Sequence, residues 1–190
     1  MTKKQPSAAT LRCRHCGAPF ELRGGARTQV IVCAYCDSAT DLTDPDYKLL
    51  WRYTERTKHA PTIPLGSRGT LRGEKLECIG FMRRSVEDDG ERFSWSEYLL
   101  YNPFKGYRWL VEGEEGWSLV KVTHALPTSP NGTLITDAPP HASVSHLGVR
   151  YTFKESATAQ VDYALGEFYW QVAVGQLADL TDYKSDDQLL

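Results

Sequence analysis

From residue 65 onward the chain alternates short apolar and aromatic runs with turn signals. The signals are Gly66, Gly69 and Gly73, then Glu87-Asp88-Asp89-Gly90, Asn102-Pro103, Glu112-Gly113 and Asn131-Gly132. Between them the pattern predicts strands over 69–71, 76–84, 92–101, 108–111, 117–124, 148–154, 158–165, 168–175 and 177–182. A recurrence of about ten residues is the mark of an antiparallel barrel or sandwich. The segment 126–147 holds four prolines and reads as a long surface loop, with one short strand at 133–136.

Period-two alternation puts Phe93, Trp95, Glu97, Leu99 and Tyr101 on one face of a strand. Glu97 is the one charge on that face, and a carboxylate there needs a partner. Glu167 opens the aromatic run that continues Phe168-Tyr169-Trp170, and Glu155 follows Tyr151-Thr152-Phe153-Lys154.

Before the β pattern begins, Asp44 can cap and Pro45 can start a short helix, with Tyr47, Leu50, Trp51 and Thr54 along one side. The aromatic and Thr content of 45–58 fits a strand as well. Pro61 and Pro64 then make 59–64 an extended linker. The expected organisation is a tail at 1–10, a small metal-binding ribbon at 11–44, a linker with this short helix at 45–65, and an all-β domain at 66–190.

The ribbon rests on Cys13-x2-Cys16 and, sixteen residues later, Cys33-x2-Cys36. Each C-x-x-C closes a turn whose two sulfurs converge, and two such turns complete a tetrahedral four-thiolate site. Gly17 suits the positive φ that follows such a turn. The runs 18–22 and 28–32, joined at Arg23-Gly24-Gly25-Ala26, read as the two strands of a hairpin between the pairs. Structural Zn2+ is the expected ion, with iron in a rubredoxin-like site as its chemical competitor. Disulfides would need an oxidising compartment, and a thioredoxin-like redox site would need one C-x-x-C beside a βαβ pattern. Four thiolates close the coordination shell and leave no position for a substrate. His15, between two ligands, is expected to point outward. Cys78 lies in an apolar context and is expected to be a buried small hydrophobe.

Composition adds little to this picture. Hydrophobic residues are 41%, charged residues 24% and aromatics 11%, as in an ordinary globular protein of 190 residues. Charge adds more. Residues 1–36 carry six Lys/Arg against Glu21, a local +5 on a chain of net −2. Four thiolates with one divalent ion reduce that head to +3, and the loop between the pairs offers Arg23 and Arg27 without an aromatic tip. Nucleic-acid binding through the ribbon is therefore a secondary expectation. The N-terminus has charges but no apolar core of a secretory signal. No run reaches the roughly 18 apolar residues of a membrane helix. A cytoplasmic location is expected.

The chain from Cys13 to Tyr183 resembles a known bacterial family. The shared features are Gly69-Thr-Leu-Arg-Gly73, Ile79-Gly80-Phe81 with Arg83-Arg84-Ser85, Trp95-Ser-Glu97-Tyr98-Leu-Leu100 with Asn102-Pro103, Gly106-Tyr-Arg-Trp109-Leu110-Val-Glu112, Tyr151-x3-Glu155-Ser156, and Gly166-Glu167-Phe168-x-Trp170. The family is the domain of unknown function 4178. The resemblance implies that a four-cysteine zinc ribbon ahead of the domain is usual, and it implies no established activity. Family context hints at cell-envelope or polyamine-linked roles. It also implies that the domain usually continues past the equivalent of Asp182-Tyr183, so a short copy or a fragment is expected.

The functional expectation is a non-enzymatic binding or scaffolding module that engages a protein partner. Its alternative is a sensor or enzyme for a polyamine or other cationic small molecule. For that role the candidate ligand-binding residues are Glu97, Tyr98, Glu155, Glu167 and Trp170, since carboxylates beside aromatic faces suit a cation. No catalytic set is assembled in the sequence.

Overall fold

The computed structural model describes residues 9–52, 59–135, 142–186 and 188–190. Its strands are β1 (Ala9–Arg12), β2 (Pro19–Leu22), β3 (Val30–Val32), β4 (Ser38–Asp41) and β5 (Leu49–Arg52). They continue with β6 (Arg68–Leu71), β7 (Glu74–Asp88), β8 (Glu91–Asn102), β9 (Gly106–Gly113) and β10 (Gly116–Val120). The last are β11 (Ser143–His146), β12 (Val149–Phe168), β13 (Leu177–Ser185) and β14 (Gln188–Leu189). Strands make up 58% of the described residues, among which one 3-10 turn at Gly25–Arg27 is the sole helical element. The all-β expectation holds.

The chain forms two compact units. The first comprises Met1–Ser85, Ser94–Lys121 and Val161–Gln176. Its sheet runs in the order β10-β9-β8-β7-β12-β3-β4-β5, with β6 beside β7, and every pairing with a resolved register is antiparallel. The order has two ends, β10 and β5, so this sheet does not close into a barrel. β1 and β2 form a separate two-stranded ladder.

Both faces of the central strands are covered. On one, Val30, Val32, Ile79, Met82, Leu99, Ala164 and Phe168 pack together. On the other, Leu76, Cys78, Phe81, Tyr98, Leu100, Tyr163 and Leu165 do. A bulge between Val161 and Tyr163 lets β12 switch which parity faces which layer. Cys78 is the buried small hydrophobe that its context suggested, 1% exposed.

The second unit comprises Val86–Phe93, Val122–Gln160 and Leu177–Leu190. There β11 and β13 flank the first half of β12, β14 adds to β13, and the buried core is Val144, Tyr151 and Tyr183.

Several sequence expectations need correction. The strands expected at 148–154 and 158–165 are one strand, β12, with a bulge between Phe153 and Glu155 absorbing the irregularity. The segment 168–175 is not a strand. β12 ends at Phe168, and the aromatics that follow fold back in a loop turned by Gly175 at φ +81. Within the expected long loop lies β11. At 133–136 the described residues form only an isolated bridge, Thr128 to Leu134. Of the helix considered over 45–58, residues 49–52 are strand β5, because Leu49 and Trp51 pair with Thr40 and Ala39. Residues 53–58 lie outside the described set. The hairpin expected between 18–22 and 28–32 does not exist as a pair. β2 pairs with β1, whereas β3 pairs with β4 and β12.

Candidate metal centre and neighbouring groove

Two matching turns carry the cysteines. After β1, Gly17 N–H donates to Cys13 O at 2.9 Å and Cys13 N–H to Ala18 O at 2.8 Å. After β3, Asp37 N–H donates to Cys33 O at 2.8 Å and Cys33 N–H to Ser38 O at 3.0 Å. Gly17 takes φ +75, as expected, and Asp37 takes φ +53 at the equivalent place. Asp is among the few side chains that tolerate this region.

The turns bring all four Sγ atoms within 4.8 Å of one another. Cys13 and Cys36 sulfurs are 3.6 Å apart and those of Cys16 and Cys33 are 3.7 Å apart. These separations exclude disulfides, whose sulfurs bond at about 2.05 Å. Zn–S bonds of about 2.3 Å at tetrahedral angles imply edges of about 3.8 Å, so the donor set fits such an ion. His15 between the first pair is exposed, as expected.

Ser38 supports the site, and the sequence reading missed it. It is fully buried, and its Oγ lies 3.0 Å from Cys36 Sγ and 3.4 Å from Cys13 Sγ. A hydroxyl two residues beyond the last C-x-x-C was the signal available. For the free thiols, burial works against ionising Cys13, yet hydrogen bonds from Ser38 and the turn amides prevail and bring it down to about 6. Burial pushes Cys33 up to about 12. A bound cation reverses that penalty, because a coordinating thiol ionises outright.

Three of the four described arginines of this segment are engaged at home. Arg14 lies over the Tyr47 ring at 5.5 Å, and Arg12 Nη1 donates to Gly17 O at 3.2 Å. Arg23 Nε sits 2.9 Å from Glu77 Oε1.

The five candidate ligand-binding residues occupy distinct environments. Glu167 is 2% exposed and fully committed to the loop after β2. Its Oε1 accepts Arg23 N–H at 2.7 Å, and its Oε2 accepts Gly24 N–H at 2.6 Å and the Thr28 hydroxyl at 3.0 Å. Burial raises its carboxyl above the ordinary range against the pull of these donors. Gly24 must be small here, since a Cβ would lie 2.5 Å from Thr28 Oγ1 and 3.0 Å from Glu167 Oε2.

Tyr98 is buried, and its hydroxyl donates to Glu112 Oε2 at 2.6 Å while accepting Thr62 N–H at 3.1 Å. It anchors the proline linker. Glu155, in the second unit, contacts Lys154 Nζ and stands across from Asp182 in the β12–β13 ladder. Burial and the nearby Glu155 charge raise Asp182.

Glu97 and Trp170 do share a feature, a groove of about 330 Å³ in the first unit. Glu97, Trp109 and Val120 contribute from β8, β9 and β10, Arg84 from β7, and Tyr169 and Trp170 from the loop after β12. The aromatic wall is mutually braced. Trp109 and Trp170 rings are 5.4 Å apart, Tyr169 and Trp170 rings 4.9 Å apart, and Trp109 Nε1–H donates to Tyr169 Oη at 3.2 Å. Arg84, Trp109 and Tyr169 were not singled out from the sequence as site residues. Arg84 and Trp109 stood in family motifs, whereas Tyr169 reaches the groove only through the loop fold.

No helix among the described residues is long and apolar enough to cross a membrane. A search of curated proteins and one of solved structures each returned no match. The family model described as a domain of unknown function, DUF4178, matches residues 64–190, a span that includes Glu97, Glu155, Glu167 and both walls of the groove. The chain belongs to the DUF4178 family.

Proposed function

We propose that this protein is a non-catalytic binding module whose N-terminal segment is braced by a structural Zn2+ held by Cys13, Cys16, Cys33 and Cys36. The observation that carries this reading is the mutual approach of four sulfurs within 4.8 Å. Four thiolates fill a tetrahedral shell and leave no vertex for a reactant. When bound, the ion supplies cross-linking and not Lewis-acid chemistry. The chain's own residues do the rest. Ser38 steadies two ligands, and β3, which leads into Cys33, pairs with β12 at the centre of the sheet.

The module is proposed to work in the cytoplasm, where thiols stay reduced, and to engage a protein or small-molecule partner. The cationic-ligand alternative needs carboxylates free to face a cation, whereas Glu167 is occupied by backbone donors and Glu97 by Trp95 and Arg84. Nucleic-acid binding needs several free cations, whereas Arg12, Arg14 and Arg23 have partners in the protein.

Metal analysis of the purified protein tests the reading. One zinc per chain is expected, and cobalt substitution should give the absorption of a tetrahedral four-sulfur site. A water ligand on the metal, or metal-dependent hydrolysis of any ester or phosphate substrate, would overturn it.

A further inference from the structure

The groove contains one polar device, the Arg84–Glu97 pair, and its geometry is incomplete. Glu97 Oε1 accepts the Trp95 indole N–H at 2.7 Å. The other oxygen lies 3.7 Å from Arg84 Nε, beyond hydrogen-bond reach. Arg84 Nε is buried and meets no acceptor in the structure. A guanidinium carries five N–H donors, and a buried donor without an acceptor is costly. Arg84 and Glu97 offset one another's charge as an ion pair, but no hydrogen bond joins them, so the guanidinium keeps donor capacity while one Glu97 oxygen is taken by Trp95.

The surroundings define the rest of the ligand. Trp109, Tyr169 and Trp170 offer flat aromatic walls, and Val111 and Val120 an apolar side. Such walls take a planar or branched apolar body. The volume, about 330 Å³, sits at the small end of ligand sites, which run from roughly 300 to 1,000 Å³.

We infer that the groove binds a small carboxylate carried on an aromatic or branched apolar body. The carboxylate pairs with Arg84, and the body lies against Trp109 and Trp170. An arginine bridging two carboxylates, one from Glu97 and one from the ligand, uses donors that the protein alone leaves idle. This inference rests on the binding-module reading and is independent of which metal braces the ribbon.

Three probes with one shared body test it: 3-phenylpropionate, 3-phenylpropionamide and 3-phenylpropylamine, titrated into the full metal-loaded chain and followed by tryptophan fluorescence. The carboxylate should bind at least about tenfold more tightly than the amide or the amine, the effect of one charge-assisted hydrogen bond. Arg84→Gln should remove that preference, and Arg84→Lys should keep part of it. Should Arg84→Gln fail to fold, Val120→Glu reports in its place. It puts a like charge at an exposed lining position, so it should weaken the carboxylate and favour the amine. Preference for the amine, equal binding of all three, or no saturable binding of the carboxylate to the folded protein would overturn the inference. Each of those results leaves the metal-braced module standing, because that reading fails only on metal content and coordination.

Discussion

Glu167, at the end of β12, accepts the Gly24 backbone N–H at 2.6 Å across 143 positions of sequence. The same carboxylate takes Arg23 N–H and the Thr28 hydroxyl, so one buried side chain holds both ends of the loop that separates the two cysteine pairs. Its neighbour extends the tie, since Gln29 N–H donates to Phe168 O at 2.8 Å. The cysteine-bearing segment is thus fixed to the central sheet from two directions, through β3 pairing and through this carboxylate.

Glu167→Gln should therefore destabilise the fold by about 1–3 kcal/mol, because one face of the amide presents N–H to a backbone N–H. Urea unfolding of the zinc-loaded protein measures it. An unchanged midpoint would show that the loop is held by β3 alone.

The same substitution has a pH signature. Burial raises the folded carboxyl above its ordinary 4.5, so between those values the folded state binds more protons than the unfolded one. Stability from this group is complete below 4.5 and falls as pH rises through the folded value. The advantage of the wild type over Glu167→Gln should shrink across that interval, then level off. A growing advantage would reverse the assigned direction.

Removing the metal should loosen the same edge of the sheet. Chelation, or Cys33→Ser, should lower the melting temperature by at least about 5 °C, since a structural ion stabilises only the folded state. Hydrogen exchange should locate the loosening in β3 and β4, which flank Cys33 and Cys36. Protection unaltered in those strands would mean that the ribbon is energetically detached from the sheet.

Ser38→Ala tests the support of the ligands. Loss of the hydroxyl between Cys13 and Cys36 should weaken zinc affinity by about 10- to 100-fold, as outer-shell substitutions do. Competition against a chromophoric chelator reads this directly, and full affinity in the variant would assign Ser38 to packing alone.

Tyr98→Phe separates the linker from the metal. It removes the bond to Glu112 and leaves Thr62 N–H without its acceptor, at a cost of about 1–2 kcal/mol. Zinc content should stay at the wild-type level, and a drop in both together would join the two regions.

The four-cysteine cluster was legible because it is local. Two C-x-x-C turns, each closed within six residues by its own backbone bonds, need only converge, and spacing alone announces them. Strand positions were legible for a similar reason, since apolar alternation and turn residues act within a few positions. β7, β8 and β13 lie where the pattern placed them, give or take their ends. The paired state of Glu97 was legible too, because an acid on an apolar strand face must find a donor.

Pairing was not legible. Whether β3 joins β2 or β12 depends on which apolar surface Val30 and Val32 bury, and that surface is built largely from residues distant in sequence, such as Ile79, Leu99, Ala164 and Phe168. The loop character of Tyr169 and Trp170 was hidden because aromatic residues favour any half-buried site, strand or not. Glu155, Glu167 and Glu97 looked alike in sequence and meet a lysine, three loop donors, and an arginine with an indole. Sequence decided which side chains need partners, through their charge and burial; only the tertiary structure, by bringing distant backbone within hydrogen-bond reach, decided which partners they have.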